Sequence, residues 1–331
     1  MGQEVEMISE IEFKKAWEVI KTRKTVLIVT HASPDPDAVC SAGALSDLLN
    51  AENIKSTIII LKDDSEPHLE FGNEVFVVSD SLPPSDGFVL LDAEAPFRAG
   101  KVIDNLLEKS GLPSAVIDHH QASGSFGDIV LSDEEATSTC ELIFQLSLAC
   151  LLKLSQETLD KLYAGLMSDT GFLQFPAATT ANFEVATSMR KLGADPSYAR
   201  ERIIHNSTLS RTHFFGELLS RITVSGQEPQ LSFSFAGHTE FKQNENDLGQ
   251  LKTPLGWEML KLKGVELSFF LRESELGRYK VSLRGSGKYN CADLAERLGG
   301  GGSHNAAGAS ATGTLDEAIA QIEKAFAQLV S

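Results

Sequence analysis

The sequence predicts an α/β protein, with a doubly wound parallel sheet in the first domain and a smaller α/β domain at the C-terminal end. The 331 residues exceed the usual size of one domain, about 100 to 200 residues. Apolar runs without polar alternation recur in the first part of the chain, which is typical of strands buried on both faces of a parallel sheet. Helical patterns lie between these runs. In the final third of the chain, a few strand-like runs are followed by a helical pattern, a glycine run and a last helical pattern.

The first domain, residues 1–192, is predicted to contain five strands and the helices between them. The strands are expected at 25–30, 56–61, 74–79, 87–92 and 114–118. The helices are expected at 38–50, 97–110, 137–168 and 181–222, the last one running on beyond the domain. Because ligands of doubly wound sheets bind just beyond the carboxyl ends of the strands, function is expected there.

A helical linker is predicted at 193–222 and a C-terminal domain at 223–331. Gly193 and Pro196 interrupt the helical pattern where the linker begins. The C-terminal strands are expected at 229–237, 264–273 and 278–285, and the helices at 291–298 and 315–330. The groove between the two domains is the expected active-site cleft, because ligand pockets form preferentially between domains.

The composition limits the function classes. The net charge is −17, and an acidic surface opposes binding to long nucleic acids, whose phosphates attract basic proteins. The four cysteines form no C-x-x-C pair, so neither a disulfide framework nor a zinc knuckle is predicted. A reducing cytoplasm is the simplest location. The chain shows no secretory signal and no run of about 18 apolar residues that would predict a membrane span.

Acidic and imidazole side chains follow three of the predicted strands and one helix. They are His31, Asp35 and Asp37 after the first strand, Asp92 after the fourth, Asp118, His119 and His120 after the fifth, and Asp169 at the helix end. Carboxylates gathered so closely would repel one another, so a cation is expected among them. Oxygen and imidazole ligands without a thiolate favour Mn²⁺, Mg²⁺, Co²⁺ or Fe²⁺ over structural zinc. The number of carboxylates favours two ions about 3.5 to 4 Å apart, an arrangement suited to in-line attack on phosphorus.

Single segments also have other interpretations. Asp35 and Asp37 lie among prolines and could be ordinary turn residues. Asp169 begins a D-T-G triplet, which also marks aspartic proteases, but those enzymes need two such loops and this chain has one. Cys40 lies near the predicted ligands, and we expect it to pack in the core and not to bind metal. The joint occurrence of ligand residues at several strand ends favours the two-ion site.

A glycine-rich segment, LGGGGSHNAAGAS at 298–310, is predicted to bind an anion. It lies between two helices of one domain, which argues against a flexible linker. Its backbone N–H groups could approach a phosphate closely, and a nearby arginine could hold the same phosphate or pair with an acid. The predicted substrate-binding residues are Arg284, Gly301, Gly302, Ser303, His304 and Asn305.

These motifs resemble the DHH phosphoesterase family, which is named for the triplet at 118–120. The segments HASPDPDAV, LLDAEAP, IDHH and GLMSDTGFLQF are similar to its first four motifs, in order. The segment at 282–310 is similar to the glycine-rich signature of the DHH-associated C-terminal domain. The resemblance covers nearly the whole chain. The two-domain layout is similar to stand-alone members, which include nanoRNases that also dephosphorylate pAp and phosphodiesterases of cyclic di-AMP or pApA.

The resemblance implies a role for each residue. One Mn²⁺ would be bound by His31, Asp35 and Asp92, and the other by Asp37, Asp92, His119 and Asp169. Asp118 would support the site and His120 would face the scissile phosphate. The glycine-rich loop and Arg284 would hold a phosphate or the nucleotide end.

Two departures from the family pattern concern the loop and the first motif. Ser303 stands where the family signature usually has histidine, and His304 follows one place later. Pro36 and Cys40 replace residues that are more often glycine, and they flank ligands without removing any.

The expected function is a cytoplasmic, Mn²⁺-dependent phosphodiesterase that acts on short oligonucleotides, pAp or both, through a hydroxide shared by two ions. The alternatives are a phosphodiesterase of cyclic di-AMP or pApA, and a nucleotide-binding sensor without turnover. Neither a membrane nor a long nucleic acid is an expected partner. The sequence does not fix the oligomeric state, and a homodimer is compatible with it.

Overall fold

The computed structural model describes residues 8–32, 34–61, 75–78, 81–120, 126–174, 178–205, 207–225, 230–244 and 255–330. Two compact units divide the chain, one up to residue 206 and the other from residue 207. Both units combine helices with a sheet, so the predicted α/β class is confirmed. The domain bounds and the active-site cleft inferred from the sequence stay predictions.

A parallel sheet of six strands forms the centre of the first unit, within its described residues. The strands are β1 (Thr25–Val29), β2 (Lys55–Leu61), β3 (Val75–Val78), β4 (Gly87–Leu91), β5 (Ser114–Asp118) and β6 (Ile129–Ser132). They lie in the order β3-β2-β1-β4-β5-β6, and each neighbouring pair is parallel. The direction of winding therefore reverses between β1 and β4, which is the switch point where doubly wound sheets bind ligands.

Helices cover both faces of this sheet. They are α1 (Glu10–Ile20), α2 (Pro36–Ala51), α3 (Lys101–Ser110), α4 (Thr139–Ala149), α5 (Gln156–Asp169), α6 (Thr180–Leu192) and α7 (Pro196–Ala199), with a 3₁₀ turn at Pro96–Ala99 and a π-helical segment at Arg200–Ile204. Val26 and Ile28 of β1 pack in the apolar cluster that α1, α2, α4 and α5 share, while Leu27 and Val29 pack with α3. Burial on both faces explains why these strands are apolar without alternation.

Polar caps set where the helices begin. Ser9 and Glu12 form a reciprocal capping box at the start of α1. Asp35 caps α2 and accepts the N–H of Ala38 at 3.0 Å. Pro36 occupies the first turn of α2, where a missing N–H costs nothing. The proline that departs from the DHH pattern is therefore compatible with the helix start.

The structure differs from the predicted elements in several places, and α1 is one helix that was not predicted. Strand β6 was not predicted, because it is short and its Val130 is exposed at the sheet edge. The helix predicted at 137–168 is in fact two helices, since Leu151 adopts a φ of +53° after α4 and Ser155 then caps α5. Cys40 packs in the main core, as expected. Residues 74 and 79 of the predicted third strand lie outside the described residues.

The described part of the second unit forms a mixed sheet. Its strands are β7 (Thr223–Ser225), β8 (Gln230–Ala236), β9 (Val265–Glu275), β10 (Arg278–Gly285), β11 (Gly301–Gly302) and β12 (Ala306–Thr312), in the order β11-β12-β10-β9-β8-β7. The β8–β9 pair is parallel and the other pairs are antiparallel. The first residue of the predicted strand at 229–237 lies outside the described residues.

Two apolar clusters cover the two faces of the second sheet. The helices are α8 (Leu209–Ser220), α9 (His238–Gln243), α10 (255–260), α11 (Cys291–Arg297) and α12 (Leu315–Val330). Side chains of α11 and α12 form one cluster, and those of α8, α9 and α10 form the other. The last helix of the predicted linker, α8, thus contributes Phe214 and Leu218 to the core of this unit. Among the described helices of the chain, none combines the length and the apolar character needed to cross a membrane.

Candidate metal centre

The acidic and imidazole residues predicted from the sequence lie together in the first unit. They follow β1, β4 and β5 or end α5, so the strand order brings them to the switch point of the sheet. In three overlapping groups, the ligand atoms lie within 4.8 Å of one another. The groups are His31, Asp35 and Asp92; Asp37, His119 and Asp169; and Asp92, His119 and His120.

Asp37 lies in the first turn of α2 and is fully buried. One carboxylate oxygen accepts the N–H of Thr139 at 2.7 Å, and the other accepts the N–H of Cys140 at 3.1 Å. These are the first N–H groups of α4, which have no partner within their own helix. The positive end of α4 therefore fixes the orientation of this carboxylate.

Asp92 directly follows β4 and is shared between two of the groups. Its φ is +56°, a left-handed conformation that aspartate tolerates better than most residues. Oδ2 lies 3.5 Å from Nε2 of His31, and Oδ1 lies 3.4 Å from Nε2 of His119. Oδ1 also accepts the hydroxyl of Thr139 at 3.0 Å. The two oxygens thus face two different histidines, as the oxygens of a bridging ligand do.

His119 faces two carboxylates with one edge of its ring. Nε2 lies 3.4 Å from Oδ2 of Asp169, at about the same range as from Asp92. Nδ1 lies 3.3 Å from the carbonyl oxygen of Ala136. Since a carbonyl can only accept, the neutral ring carries its proton on Nδ1 and presents the lone pair of Nε2 to the carboxylates. Metal-binding histidines are commonly oriented in this way.

Asp118 and His120 form a pair beside this cluster. Oδ1 of Asp118, which is buried, lies 2.8 Å from Nδ1 of His120 and accepts the backbone N–H of the same residue at 3.2 Å. The His120 side chain is 41% exposed. Because Asp118 engages Nδ1, the other ring nitrogen is the one that can meet a ligand from solvent.

Burial and mutual charge shift the pKa values of the cluster in opposite directions. Burial and the charge of Asp92 raise the pKa of Asp37 to about 7, and burial also raises the pKa of Asp169. Burial favours neutral imidazoles, but the close contact with Asp92 outweighs it and raises the pKa of His31 and of His119 to about 9. Burial opposes ionisation of Asp92 as well, yet its contacts with His119 and His31 hold its pKa below the usual value. The carboxylates thus depend on positive charge placed among them.

The residues of this cluster fit a metal site. Nε2 of His119 is buried and has no hydrogen-bond partner among the described residues. Carboxylate and imidazole donors suit a hard or borderline divalent ion, which would satisfy this nitrogen and offset the carboxylates. The neighbouring thiols are poor ligands, because burial raises the pKa of Cys40 to about 12 and that of Cys140 well above its usual value.

The predicted substrate-binding residues form a separate group, within the second unit. Arg284 lies near the end of β10, where burial lowers the pKa of its guanidinium. Its side chain packs so closely on α10 that a Cβ on Gly256 would lie 2.7 Å from its Cγ. The loop at 301–305 is exposed, and the N–H of Gly285 donates to the carbonyl of Asn305 at 3.0 Å. This bond ties the loop to the strand end that carries the arginine.

Two glycines of this segment have a steric role that the sequence did not reveal. A Cβ on Gly300 would lie 2.0 Å from the carbonyl oxygen of Gly308, and one on Gly302 would lie 2.5 Å from Cα of Ala307. Around Gly301 there is open space. Close packing of β11 on β12 therefore requires two of the glycines whether or not an anion binds.

Ser303 and His304 make different contacts in the loop. The N–H of Ser303 donates to the carbonyl of Ala306 at 2.8 Å, and its hydroxyl donates to the same oxygen at 3.1 Å. Nε2 of His304 lies 2.9 Å from the carbonyl oxygen of Gly287. Both side chains are exposed, and which of them replaces the histidine of the family signature stays a prediction.

Sequence reasoning missed the residues that hold the ligands in place. Thr139 and Cys140 donate to Asp37 and Asp92, and Gly165 of α5 lets that helix pass beside them. A Cβ on Gly165 would lie 2.2 Å from Sγ of Cys140 and 2.7 Å from Oδ1 of Asp37. The run S-T-C-E at 138–141 does have the form of a helix start, but it gives no sign of what the helix end faces.

Known families match both parts of the chain. Residues 25–168 match the N-terminal domain of the DHH family, and residues 240–331 match the DHHA1 domain. The chain therefore contains a DHH-family domain and a DHHA1 domain. The resemblance predicted from the motifs is thereby confirmed, including the two-domain layout of the stand-alone members.

Curated relatives of the chain are phosphoesterases. A probable bifunctional oligoribonuclease and PAP phosphatase from Streptococcus mutans is 31% identical over 55% of this chain and 57% of its own length. The bifunctional oligoribonuclease and PAP phosphatase of Thermus thermophilus is 27% identical over 93% of this chain and 91% of its own. A cyclic-di-AMP phosphodiesterase of Geobacillus thermodenitrificans is 25% identical over 93% of this chain and 48% of its own. These relatives and the DHH domain support a hydrolase.

A solved structure shares the fold over the whole length. The exopolyphosphatase-related protein of Bacteroides fragilis superposes with a TM-score of 0.84 and 24% identity, covering 99% of this chain and 98% of that one. At this identity, the likeness supports the arrangement of strands and helices and leaves the substrate to be argued from the site.

Proposed function

We propose that this DHH-family protein is a Mn²⁺-dependent phosphodiesterase that hydrolyses short oligonucleotides, pAp or both. The convergence of carboxylates and histidines around Asp92, all of them buried or partly buried except Asp35, carries the proposal. The relatives from Streptococcus mutans and Thermus thermophilus, which are named for oligoribonuclease and PAP phosphatase activities, support the substrate class.

Two sets of ligands are proposed, with Asp92 in both. One Mn²⁺ is assigned to His31, Asp35 and Asp92, and the other to Asp37, Asp92, His119 and Asp169. The approach of ligand atoms to within 4.8 Å in the groups His31–Asp35–Asp92 and Asp37–His119–Asp169 supports this division. Two divalent ions bound there would lower the pKa of water and offset the negative charge of a phosphodiester.

His120 is proposed to contact the scissile phosphate. Its 2.8 Å contact with Asp118 keeps the proton of the neutral ring on Nδ1 and holds the ring in one orientation. The opposite nitrogen then lies on the exposed edge, where it can bind a phosphate oxygen or move a proton. Asp118 acts through His120 in this scheme.

Arg284 and the loop at 301–305 are proposed to hold a phosphate or the nucleotide end. The guanidinium has the planar fork that binds phosphate through two hydrogen bonds. Gly301 is exposed in β11, and a Cβ built on it would meet no other atom within 4 Å. Because the protein carries a net charge of −17, short substrates are favoured over long nucleic acids, which require extended basic surfaces.

A substrate panel tests this proposal. We would compare kcat/KM for pAp, pApA, cyclic di-AMP and labelled RNA of two to about ten nucleotides, with Mn²⁺ and after chelation. Preference for di- to pentanucleotides or pAp, lost on chelation, is the expected result. Preference for cyclic di-AMP would assign the protein to the activity named for the Geobacillus relative. Binding without turnover in any divalent metal would indicate a nucleotide sensor and contradict the proposal.

The cellular setting completes the proposal. We place the enzyme in the cytoplasm, because all four cysteines of the structure are free thiols. A homodimer is proposed, and light scattering on the purified protein would distinguish it from a monomer.

A further inference from the structure

We infer that Glu141 is a positioning residue for the proposed metal centre and acts through the segment at 136–140. The inference rests on the proposed function, because it concerns the affinity for the proposed Mn²⁺ ions. Glu141 lies in the first turn of α4 and is 3% exposed, which is unusual for a carboxylate. Its hydrogen bonds show what it does there.

The segment at 136–140 contacts three proposed metal ligands, each of which follows a different strand of the sheet. The carbonyl of Ala136 orients the ring of His119. The N–H and hydroxyl of Thr139 bind Asp37 at 2.7 Å and Asp92 at 3.0 Å. The N–H of Cys140 binds the other oxygen of Asp37 at 3.1 Å. A shift of this one segment would therefore disturb both proposed ion sites.

Glu141 holds the segment from its far side. Oε2 accepts the backbone N–H of Thr137 at 3.2 Å and the hydroxyl of the same residue at 3.3 Å. An ordinary capping box would direct a glutamate at this position to the N–H of the cap, which here is Ser138. The side chain instead accepts from Thr137, the residue before the cap. In the sequence, Thr137 lies between Ala136, whose carbonyl faces His119, and Thr139, which donates to Asp37 and Asp92.

Asn182 connects Glu141 to a second helix. Its Nδ2 donates to Oε2 of Glu141 at 3.0 Å, and its Oδ1 accepts the N–H of Thr179 at 2.7 Å, at the start of α6. Asn182 is fully buried, so neither bond competes with water. Oε1 of Glu141 accepts from Gln145 at 3.2 Å. Both oxygens of the buried carboxylate are thus engaged, and the segment at 136–140 is fixed to the start of α6.

Different residues at the start of α4 therefore have different roles. Its first N–H groups hold Asp37 directly, while Glu141 fixes the turn that aims those groups. Residues that orient metal ligands without binding the ion typically change metal affinity by about 10- to 100-fold when they are removed. We therefore expect Glu141→Ala to weaken Mn²⁺ binding by about 10- to 100-fold.

The experiment measures Mn²⁺ binding to the full chain by calorimetry or by the electron paramagnetic resonance signal of free Mn²⁺. Glu141→Gln is the conservative variant, because its amide oxygen can still accept from Thr137 and Asn182, and it should bind Mn²⁺ nearly as the wild type does. If Glu141→Ala does not fold, Glu141→Asp serves instead. It keeps the charge but withdraws the carboxylate by one methylene, and it should weaken binding in the same direction.

Asp160→Ala is the matched control. Asp160 is also a buried carboxylate of the first unit, and it accepts the backbone N–H of Asp195 at 2.6 Å and Gln156 at 2.8 Å. Its loss should lower the melting temperature and leave the Mn²⁺ affinity within about twofold, because its partners lie outside the 136–140 segment. A positioning role predicts that Mn²⁺ affinity falls in Glu141→Ala and not in Asp160→Ala.

The possible results separate the inference from the proposed function. Wild-type affinity in Glu141→Ala would overturn the inference while leaving the phosphodiesterase proposal intact. Equal weakening in Asp160→Ala would overturn it as well, because the effect would then be general destabilisation. A wild-type chain that binds no Mn²⁺ would overturn the proposed function and the inference with it.

Discussion

The two units of this protein differ in how far their candidate functional groups are exposed. In the first unit, Asp37, Asp92 and Asp118 are buried and the histidines are partly buried, and backbone N–H groups and neighbouring rings hold them. In the second unit, the loop at 301–305 is exposed and its shape is set by the close packing of two short strands. Buried groups with fixed partners are suited to chemistry, where positions must not change, and exposed loops are suited to recognition. In the proposed function, catalysis accordingly belongs to the first unit and substrate affinity to the second.

Removal of the shared carboxylate should have the largest effect. Asp92→Asn keeps the shape of the side chain but removes the charge that faces His31 and His119. We expect kcat to fall on the order of 1,000-fold or more, because both proposed ion sites lose a ligand. Single-turnover kinetics with Mn²⁺ in excess measure this.

Asp86→Asn is the control for this substitution. Asp86 lies at the opposite end of the same sheet, where it accepts the N–H groups of Lys24 at 2.9 Å and Thr25 at 2.8 Å. The control should keep kcat within about twofold of the wild type. A rate within a few-fold of wild type in Asp92→Asn would show that catalysis does not depend on this carboxylate.

Metal affinity should rise steeply with pH. In the metal-free protein the pKa values of His31 and His119 are raised to about 9, so both rings are protonated at pH 7. Each proposed ion must displace the proton of its own histidine, so the apparent affinity of each site rises about tenfold per pH unit until the pH reaches the pKa. We expect roughly a tenfold gain in Mn²⁺ affinity at each proposed site between pH 7 and pH 8.

Calorimetry in two buffers of different ionisation enthalpy counts the protons released. His119→Gln should reduce both the proton release and the pH slope by one proton, since one imidazole remains. An affinity that is flat between pH 7 and pH 8 would contradict the assignment of both imidazoles as ligands.

The second unit should affect substrate affinity more than turnover. Arg284→Lys keeps the positive charge and the aliphatic packing on Gly256 but loses the planar fork. We expect KM to rise about 10- to 100-fold while kcat stays within about twofold, which is the pattern of lost ground-state binding.

Arg278→Lys provides the comparison, because Arg278 lies at the other end of β10 and is exposed. Steady-state kinetics of this variant should match the wild type. A large fall of kcat in Arg284→Lys alone would place the arginine in the chemistry and break the division between the units. Equal losses of kcat in both variants would show a general effect of replacing arginine in β10 and would contradict a specific role of Arg284 in binding.

Substitutions at two neighbouring glycines should distinguish a role in substrate binding from a role in packing. Their effects should be the smallest of those predicted. Gly302→Ala places a Cβ 2.5 Å from Cα of Ala307 and should lower the free energy of unfolding by about 1 to 3 kcal/mol. Gly301→Ala meets open space and should leave the stability unchanged while raising KM severalfold, because the new methyl group crowds an approaching phosphate. Chemical denaturation and steady-state kinetics test both variants. An unchanged KM in Gly301→Ala would remove this residue from the substrate site.

Much of the first unit could be predicted because each signal is local. Five strands were predicted from uninterrupted apolar runs, and each proposed ligand was chosen from its position at or just after the end of a strand or helix. The edge strand β6 escaped because four residues with one exposed valine carry little apolar signal. Cys40 was expected to pack in the core from its chemistry, and it does.

The glycine-rich segment shows where local reasoning ends. The sequence indicates that the backbone must approach something closely, and an anion was one explanation. The structure adds the opposite strand, since Gly300 and Gly302 face Gly308 and Ala307 across a short ladder. No pattern within the segment tells whether a glycine faces an anion or the opposite strand, because both require the absence of a side chain.

By itself, the sequence determined which residue types end the strands, and hence the kind of chemistry that the first unit can support. Only the tertiary structure decided that α4 directs its first N–H groups at Asp37, across 102 and 103 positions of the chain. The physical reason is that a strand or a helix end depends on neighbours in sequence, whereas the partner of a buried carboxylate depends on how separate elements pack. Glu141 became visible as a positioning residue for the same reason, through its contacts with Thr137 and Asn182.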